Sequence, residues 1–405
     1  MAALSERIVI TSAGVICSIG AGLEQFEQAL YDGTSGLQNS TFCGDQIVTA
    51  EVRDFTPQLW LGNKGIRVLD RSARLLCVSA HMALDRSGFL ASEQPERDPE
   101  LGMICGTMFG GLHSIVSFDW SGLTEGPAYV NPMAFPNTVI NSPAGQAAIK
   151  FKLRGINSTV CAGLASGLYA IEYGAESLRF GRARVLLAGG VEELCEESII
   201  GFQRADVTSR SGSIRPFQGD ADGTVLGEGA AMLTLETAES ATARGAKPLA
   251  EISGFGCAHD ATSTNAYQAR AEGATAAIEQ ALEAAKIQPG QVGCIIAGAN
   301  GSRAGDDMEA RSLRNVFRSD IDALPVSAPK AAFGEAMGAS GALCALAGAI
   351  AIGKRIAPPT IASGSSERNL RLSSKPQPFE KDFVLVNAFN CDGNNASLVL
   401  KRWIE

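Results

Sequence analysis

Cysteine and histidine are the side chains best suited to nucleophilic and acid–base chemistry, and this chain uses them unevenly. Ten cysteines are scattered over 405 residues, but there are only three histidines: His81, His113 and His259. A thiol attacks as its thiolate, so a working cysteine needs a base, a cation or a helix N-terminus beside it. Cys161, after Thr159-Val160, and Cys391, beside Asp392, are the candidates for a nucleophilic thiol. No histidine is close to either in sequence. Many of the other cysteines sit in apolar runs, such as Leu75-Leu76-Cys77-Val78 and Gly293-Cys294-Ile295-Ile296, and read as small buried hydrophobes. None forms a CxxC pair, which argues against a zinc site.

The elements that would position such groups follow an alternating grammar. Arg7 to Thr11 reads as a strand, followed by a glycine-bearing loop and a helix from about Leu23. Leu168, Ile171, Ala175 and Leu178 recur at helical spacing, and the apolar run Val185 to Ala188 then ends in Gly189-Gly190, as a buried parallel strand would. A second cycle starts near Lys247. Leu249 to Phe255 reads as a strand, and Ile278, Ala281, Leu282 and Ala285 mark a helix stopped by Pro289-Gly290. Gly293 to Gly298 and Phe383 to Val386 read as further strands. The expected architecture is α/β, with related halves over 1–250 and 251–405 sharing an interface in one compact unit. Gly364 to Phe379 reads as a polar surface loop.

Composition narrows the function classes. Hydrophobic residues make up 45% of the chain and charged residues 19%, enough for a large core, and the net charge is −9. There is no basic stripe, which argues against nucleic-acid binding. The longest apolar stretch, Gly341 to Gly353, reads as a buried helix too short for a bilayer. No signal peptide is apparent, and unpaired thiols fit a reducing cytoplasm. The glycine runs lack nucleotide-binding contexts, so no cofactor or metal is expected.

Four segments carry a family resemblance. They are Leu187-Ala188-Gly189-Gly190-Val191-Glu192; Arg215-Pro216-Phe217 with Asp222-Gly223 and Gly227-Glu228-Gly229-Ala230; Ser327-Ala328-Pro329-Lys330 with Gly338-Ala339-Ser340-Gly341-Ala342; and Asn387-Ala388-Phe389 with Gly393 and Asn395. In this order and spacing the chain resembles β-ketoacyl synthases along nearly its whole length. The resemblance implies a thiolase-like fold, with two α/β halves in an αβαβα stack.

The resemblance also implies an active site whose reactive groups are missing. Such enzymes carry a nucleophilic cysteine two residues before a Ser-Gly pair. Ser166-Gly167 places that position at Leu164, and Gly155 and Gly181 flank it at the expected distances. Cys161 falls three residues early, still on the strand, and reads as a buried structural thiol rather than a displaced nucleophile. The two family histidines align with Asn300, in Gly298-Ala299-Asn300-Gly301, and Glu335, in Phe333-Gly334-Glu335. Asparagine is no acid–base group, and an anionic glutamate would repel both a malonyl carboxylate and its enolate. Lys330 and Glu309 match retained family residues and are expected to form a structural ion pair. Cys391 takes the place of a gating phenylalanine.

A ketosynthase-like chain without catalytic groups is similar to the chain-length factors of type II polyketide synthases. The resemblance implies a non-catalytic subunit that pairs with an active ketosynthase, completes its acyl tunnel and limits product length. The partner would work on phosphopantetheine thioesters of an acyl carrier protein. Leu164 stands where aromatic-polyketide factors carry glutamine, which points to a divergent system such as those building polyenes or aryl polyenes. Met108, Phe109, Met133 and Phe135 are expected to line or plug the tunnel near the subunit interface. Two alternatives remain open: an enzyme using Cys161 or Cys391 for acyl transfer or thioester hydrolysis, and a homodimeric acyl-binding module.

Overall fold

A computed structural model describes residues 6–44, 46–90, 101–261, 266–361 and 368–404. Its backbone is organised by one sheet of eleven strands built from two equivalent halves. In the first half, from the centre outward, lie the strands Ile8–Cys17, Gly229–Thr237, Val185–Glu192, Leu101–Gly106 and Asn157–Val160. The outer three run parallel, and the inner pairings are antiparallel. The second half repeats this order and sense with Ala250–His259, Asn394–Lys401, Phe383–Phe389, Val292–Ile296 and Val326–Ser327. The two opening strands join the halves, pairing antiparallel at Ile8↔Ile252, Val9↔Glu251 and Ile10↔Ala250.

The continuous apolar strands are explained by burial on both faces. Neighbouring strand residues point to opposite sides of a sheet. In the strand Val185–Glu192, Leu186 and Ala188 enter the central core, while Val185 and Leu187 enter an outer core. Cys294 and Ile296 likewise face the centre, and Val292 and Ile295 face the other outer core. The outer cores are covered by the helices Arg71–Ser87 and Ser142–Phe151 on one side, and Glu272–Ala284 and Arg303–Phe317 on the other.

Between the halves lie the helices Ser166–Arg179 and Ser340–Lys354. They cross in backbone contact, because a Cβ on Gly167 would lie 2.6 Å from the Ala342 nitrogen. This gives the expected αβαβα layering. Each central helix starts from a short turn, Gly163–Ala165 or Met337–Ala339, and the two turns pack against each other. The fold thereby brings Leu164 beside the segment that carries Glu335.

Three sequence expectations need correction. The apolar stretch around Gly341–Gly353 extends back through the preceding turn to Met337, giving 18 residues, long enough for a bilayer. Its burial decides its place: 89% of that window is inside the protein, as the core helix of a layered fold must be. The helix expected to run to Pro289 ends at Ala284, and Pro289–Gln291 forms a separate 3-10 turn. Of the expected surface loop Gly364–Phe379, residues 364–367 lie outside the described residues. Leu370, Gln377 and Phe379 are buried, and Gln377–Pro378 pairs with Ile356–Ala357.

Candidate functional site: a closed polar cluster at the central turns

Leu164 lies in the turn that leads from the strand Asn157–Val160 into the central helix Ser166–Arg179, and it is buried. The turn is built to present one side chain at a helix N-terminus. The Ser166 hydroxyl accepts from the Ala162 N–H at 2.9 Å and is within 2.7 Å of the Gly163 carbonyl and 3.1 Å of the Thr107 carbonyl. Gly163 has a φ of +57°, and a Cβ there would collide with the Asn390 amide at 1.7 Å, so the turn requires glycine. A helix N-terminus favours an anion, so a cysteine here would be an activated thiolate. Leucine carries no ionisable or nucleophilic atom.

Asn300 and Glu335 meet at 2.8 Å, with the Asn300 Nδ2 donating to the Glu335 Oε2. The Lys330 ammonium donates to the same oxygen at 2.7 Å. The other oxygen, Oε1, accepts from the Ser340 hydroxyl at 2.6 Å and the Met337 N–H at 3.0 Å. Lys330, Glu335 and Ser340 are each no more than 2% exposed. Two donors on each oxygen use the carboxylate's acceptor capacity, so Glu335 has no free site with which to take a substrate proton. Burial alone would depress the Lys330 pKa, but the adjacent Glu335 carboxylate outweighs it and holds the ammonium above its ordinary value. The cluster is a paired, satisfied charge at the middle of the fold.

The ion pair expected between Lys330 and Glu309 forms with Glu335 instead. Glu309 takes neutral donors, the Gly298 N–H at 3.1 Å and the Asn387 amide at 3.0 Å, and burial raises its pKa. The geometry explains the exchange of partners. Gly334 takes a φ of +83° and turns the chain directly after the short helix Lys330–Phe333, which folds Glu335 back onto Lys330. Asp306 holds the preceding loop by accepting from the Asn300 N–H at 3.2 Å and the Phe217 N–H at 2.8 Å. Its burial pushes its pKa up to about 7.

The two candidate cysteines do not gain what a nucleophile needs. Cys161 is not the buried thiol expected: it lies one residue beyond the strand, is exposed, and directs its Sγ at the Met108 carbonyl, 3.4 Å away. Partial burial raises its pKa, and the Glu192 and Asp392 carboxylates add to the rise. Cys391 is half-buried in the hairpin turn between Phe383–Phe389 and Asn394–Lys401. Its thiol is raised by burial and then by Asp392. Asp392 therefore opposes the thiolate rather than activating it. Alkylation of Cys161 near neutral pH is expected to be slower than that of free cysteine, and to climb only above the ordinary thiol pKa. Mass spectrometry of the labelled peptide across pH checks this, and fast neutral labelling would contradict it. The histidines are elsewhere: His81 against Phe151, His113 on Glu197 and His259 facing Asn394.

The four expected tunnel residues separate into two settings. Met108 and Phe109 are half-buried in the loop after the strand Leu101–Gly106, where both backbone N–H groups donate to Glu192, at 2.6 and 3.0 Å. Phe109 stands edge-on to Phe202, with ring centroids 6.5 Å apart. Met133 and Phe135 are instead 77% and 58% exposed. They belong to an apolar face that also shows Trp120, Leu123 and Tyr129. The helix Leu112–Thr124 at the centre of this face contains no fully buried residue: Leu112, Ile115, Val116 and Phe118 are half-buried, Trp120 and Leu123 are exposed, and His113, Ser114, Ser117, Ser121 and Thr124 form its polar side. An apolar helix side left exposed in this way marks an interaction site. Trp120, Leu123 and Tyr129 were missed from sequence; the one-sided helical spacing of Leu112, Val116, Trp120 and Leu123 is the signal that could have found the first two.

Comparison with known proteins places this geometry. Residues 5–241 match the family "Beta-ketoacyl synthase, N-terminal domain", and residues 249–363 match "Beta-ketoacyl synthase, C-terminal domain". The chain belongs to the β-ketoacyl synthase family. Among curated ketosynthase relatives, a 3-oxoacyl-[acyl-carrier-protein] synthase 2 of Coxiella burnetii is 34% identical, over 98% of this chain and 99% of its own length. The enzyme of the same name from Rhizobium meliloti is 31% identical, over 98% and 99%. Among solved structures, the ishigamide ketosynthase/chain length factor superposes with a TM-score of 0.91 at 30% identity, covering 98% of this ketosynthase-family chain and all of that one. The thiolase-like fold is thus shared along the full length.

Proposed function

We propose that this chain is the non-catalytic partner of an active ketosynthase, a chain-length-factor-like subunit of a type II polyketide synthase. It completes the partner's acyl tunnel and limits how far the chain grows on acyl carrier protein. The observation that carries this reading is the polar cluster: Leu164 supplies no nucleophile, and Glu335 is locked by Lys330, Asn300, Ser340 and the Met337 N–H. A ketosynthase that cannot form an acyl-enzyme has a use as one half of a pair. The apolar face around the helix Leu112–Thr124 supports pairing, and so does the edge strand Asn157–Val160, which among the described residues has a sheet neighbour on one side only. The likeness to a ketosynthase/chain length factor points the same way.

A second reading has one observation in its favour. Cys161 is exposed, so an acyl thioester could reach it. Its raised thiol pKa and the distance of the histidines in sequence weigh against it.

One experiment separates them. This chain is co-expressed with a ketosynthase that has an intact catalytic set, the complex is sized by chromatography, and elongation is assayed with malonyl carrier protein. The expected result is a 1:1 complex whose elongation requires this chain and is unchanged by Cys161→Ala. A homodimer that turns over acyl thioesters alone, and stops with Cys161→Ala, would overturn the proposal.

A further inference from the structure

Two buried carboxylates hold consecutive N–H groups of the turn Met337–Ala339, and one of them also holds the loop that carries Phe109. The parallel strands Leu101–Gly106 and Val185–Glu192 finish side by side, with Gly106 opposite Gly190. Their small ends let the turn lie across them. A Cβ on Gly190 would be 2.5 Å from the Gly338 carbonyl oxygen, and a Cβ on Gly338 would be 2.5 Å from the Met108 nitrogen. Glu192, the last residue of its strand, fills the junction and is fully buried. Its Oε2 accepts from the Met108 N–H at 2.6 Å and the Gly338 N–H at 3.0 Å. Its Oε1 accepts from the Phe109 N–H at 3.0 Å and the Thr107 hydroxyl at 3.1 Å.

The same turn is held from its other side. Glu335 Oε1 accepts from the Met337 N–H at 3.0 Å. Met337 has a φ of +47°, a left-handed conformation that a side chain other than glycine's rarely adopts, so the turn keeps its shape only while its surroundings hold it. Hydrogen bonds therefore run without a gap from Glu335 through Met337-Gly338 to Glu192 and on to Met108 and Phe109.

We propose that Glu335 and Glu192 act together as a strut that positions Phe109, so that the residue which the resemblance aligns with a histidine sets a wall instead of assisting chemistry. That the wall belongs to an acyl tunnel rests on the function proposed above; the strut itself does not. Each glutamate uses both oxygens as acceptors, and glutamine offers one oxygen and an NH2 group. In Glu192→Gln the NH2 must face N–H donors on one side, which releases either Met108 and Gly338 or Phe109. In Glu335→Gln the Lys330 ammonium keeps the remaining oxygen, because its bond is charge-assisted. The Ser340 hydroxyl can turn to accept from the new NH2, but the Met337 N–H cannot, so the turn loses its tie.

Fluorine NMR on the full chain alone, with para-fluorophenylalanine placed only at position 109, reads the ring's setting directly. Glu192→Gln and Glu335→Gln are each expected to shift or split the wild-type signal by more than its linewidth. Thr107→Val removes one donor from Glu192 and should give a smaller displacement, which keeps the test available if Glu192→Gln folds poorly. Glu309→Gln alters another buried carboxylate, whose bonds to Gly298 and Asn387 lie off this path, and should leave the signal in place. A signal unmoved by the first two variants, or moved as far by Glu309→Gln, overturns the strut. Product mass spectrometry of the assembled synthase then separates the two ideas. If Phe109→Ala changes chain length and Glu192→Gln does not, the strut has no part in length control although the subunit does. If the NMR signal moves and neither variant alters length, the strut stands and the tunnel reading falls.

Discussion

Replacing Lys330 by methionine is expected to destabilise the protein by about 3–5 kcal/mol, the cost of breaking one side of a buried ion pair. The side chain is 2% exposed and donates to Glu335 at 2.7 Å. Methionine fills similar space, so the loss comes from the charge left behind and not from a cavity. Glu335 would keep its bonds from Asn300, Ser340 and Met337 but lose its only cation within ion-pair distance among the described residues. Chemical denaturation measures the effect. The combined variant Lys330→Met/Glu335→Gln should recover most of it, because neither partner is then an unpaired charge. The same cycle run on Lys330 and Glu309 should give a much smaller coupling, since these two make no ion pair. The Lys330 contribution is flat through neutral pH. Its raised pKa means that the stabilisation is complete below 10.5 and is lost only as pH rises through the higher folded-state value. A single variant within about 1 kcal/mol of wild type would mean that the cluster is not the tight pair described.

What the sequence could reveal about this cluster depended on the kind of information each residue carries. Leu164 was legible through the family resemblance, which sets the position two residues before Ser166-Gly167, and the structure gives a reason for the glycine: Gly167 sits where two helix backbones touch. Asn300 and Glu335 were legible as the positions that the resemblance aligns with the family's two histidines, and the structure brings them to 2.8 Å across 35 residues of sequence. The partner of Lys330 was not legible. Choosing between Glu335 and Glu309 depends on how tightly the chain turns at Gly334, a conformational detail that spacing does not encode. The exposure of Cys161 was missed for a related reason. Its strand has apolar and β-branched neighbours, but it is an edge, and residue types do not say which strand has a neighbour on one side only. The helix Leu112–Thr124 shows the same limit most plainly. Hydrophobic pattern reports that a face is to be buried, and is silent on whether the covering surface belongs to the same chain or another.

Phe109→Ala is expected to move the products of the assembled synthase towards longer chains, if this subunit limits tunnel length as proposed. The ring is half-buried, stands edge-on to Phe202, and is held from behind by the Glu192 carboxylate through its own N–H. That backbone tie matters to the argument. The loop Thr107–Phe109 is anchored at Thr107 Oγ1, Met108 N and Phe109 N, all on Glu192, which also accepts from Gly338 on the far side of the site. Removing the ring therefore opens space without releasing the loop. Because Phe109 is only partly buried, the subunit itself should lose less than the ~3–5 kcal/mol typical of a fully buried Phe→Ala change. The complex should still form, and total elongation should persist, since the partner holds the reacting groups. Product mass spectrometry reads the outcome. Phe202→Ala should shift products in the same direction, because the two rings form one wall, whereas Phe135→Ala should leave length unchanged and weaken pairing, because Phe135 is 58% exposed on the apolar face. Unaltered chain length with Phe109→Ala, in a complex that still assembles and turns over, would remove Phe109 from the tunnel wall.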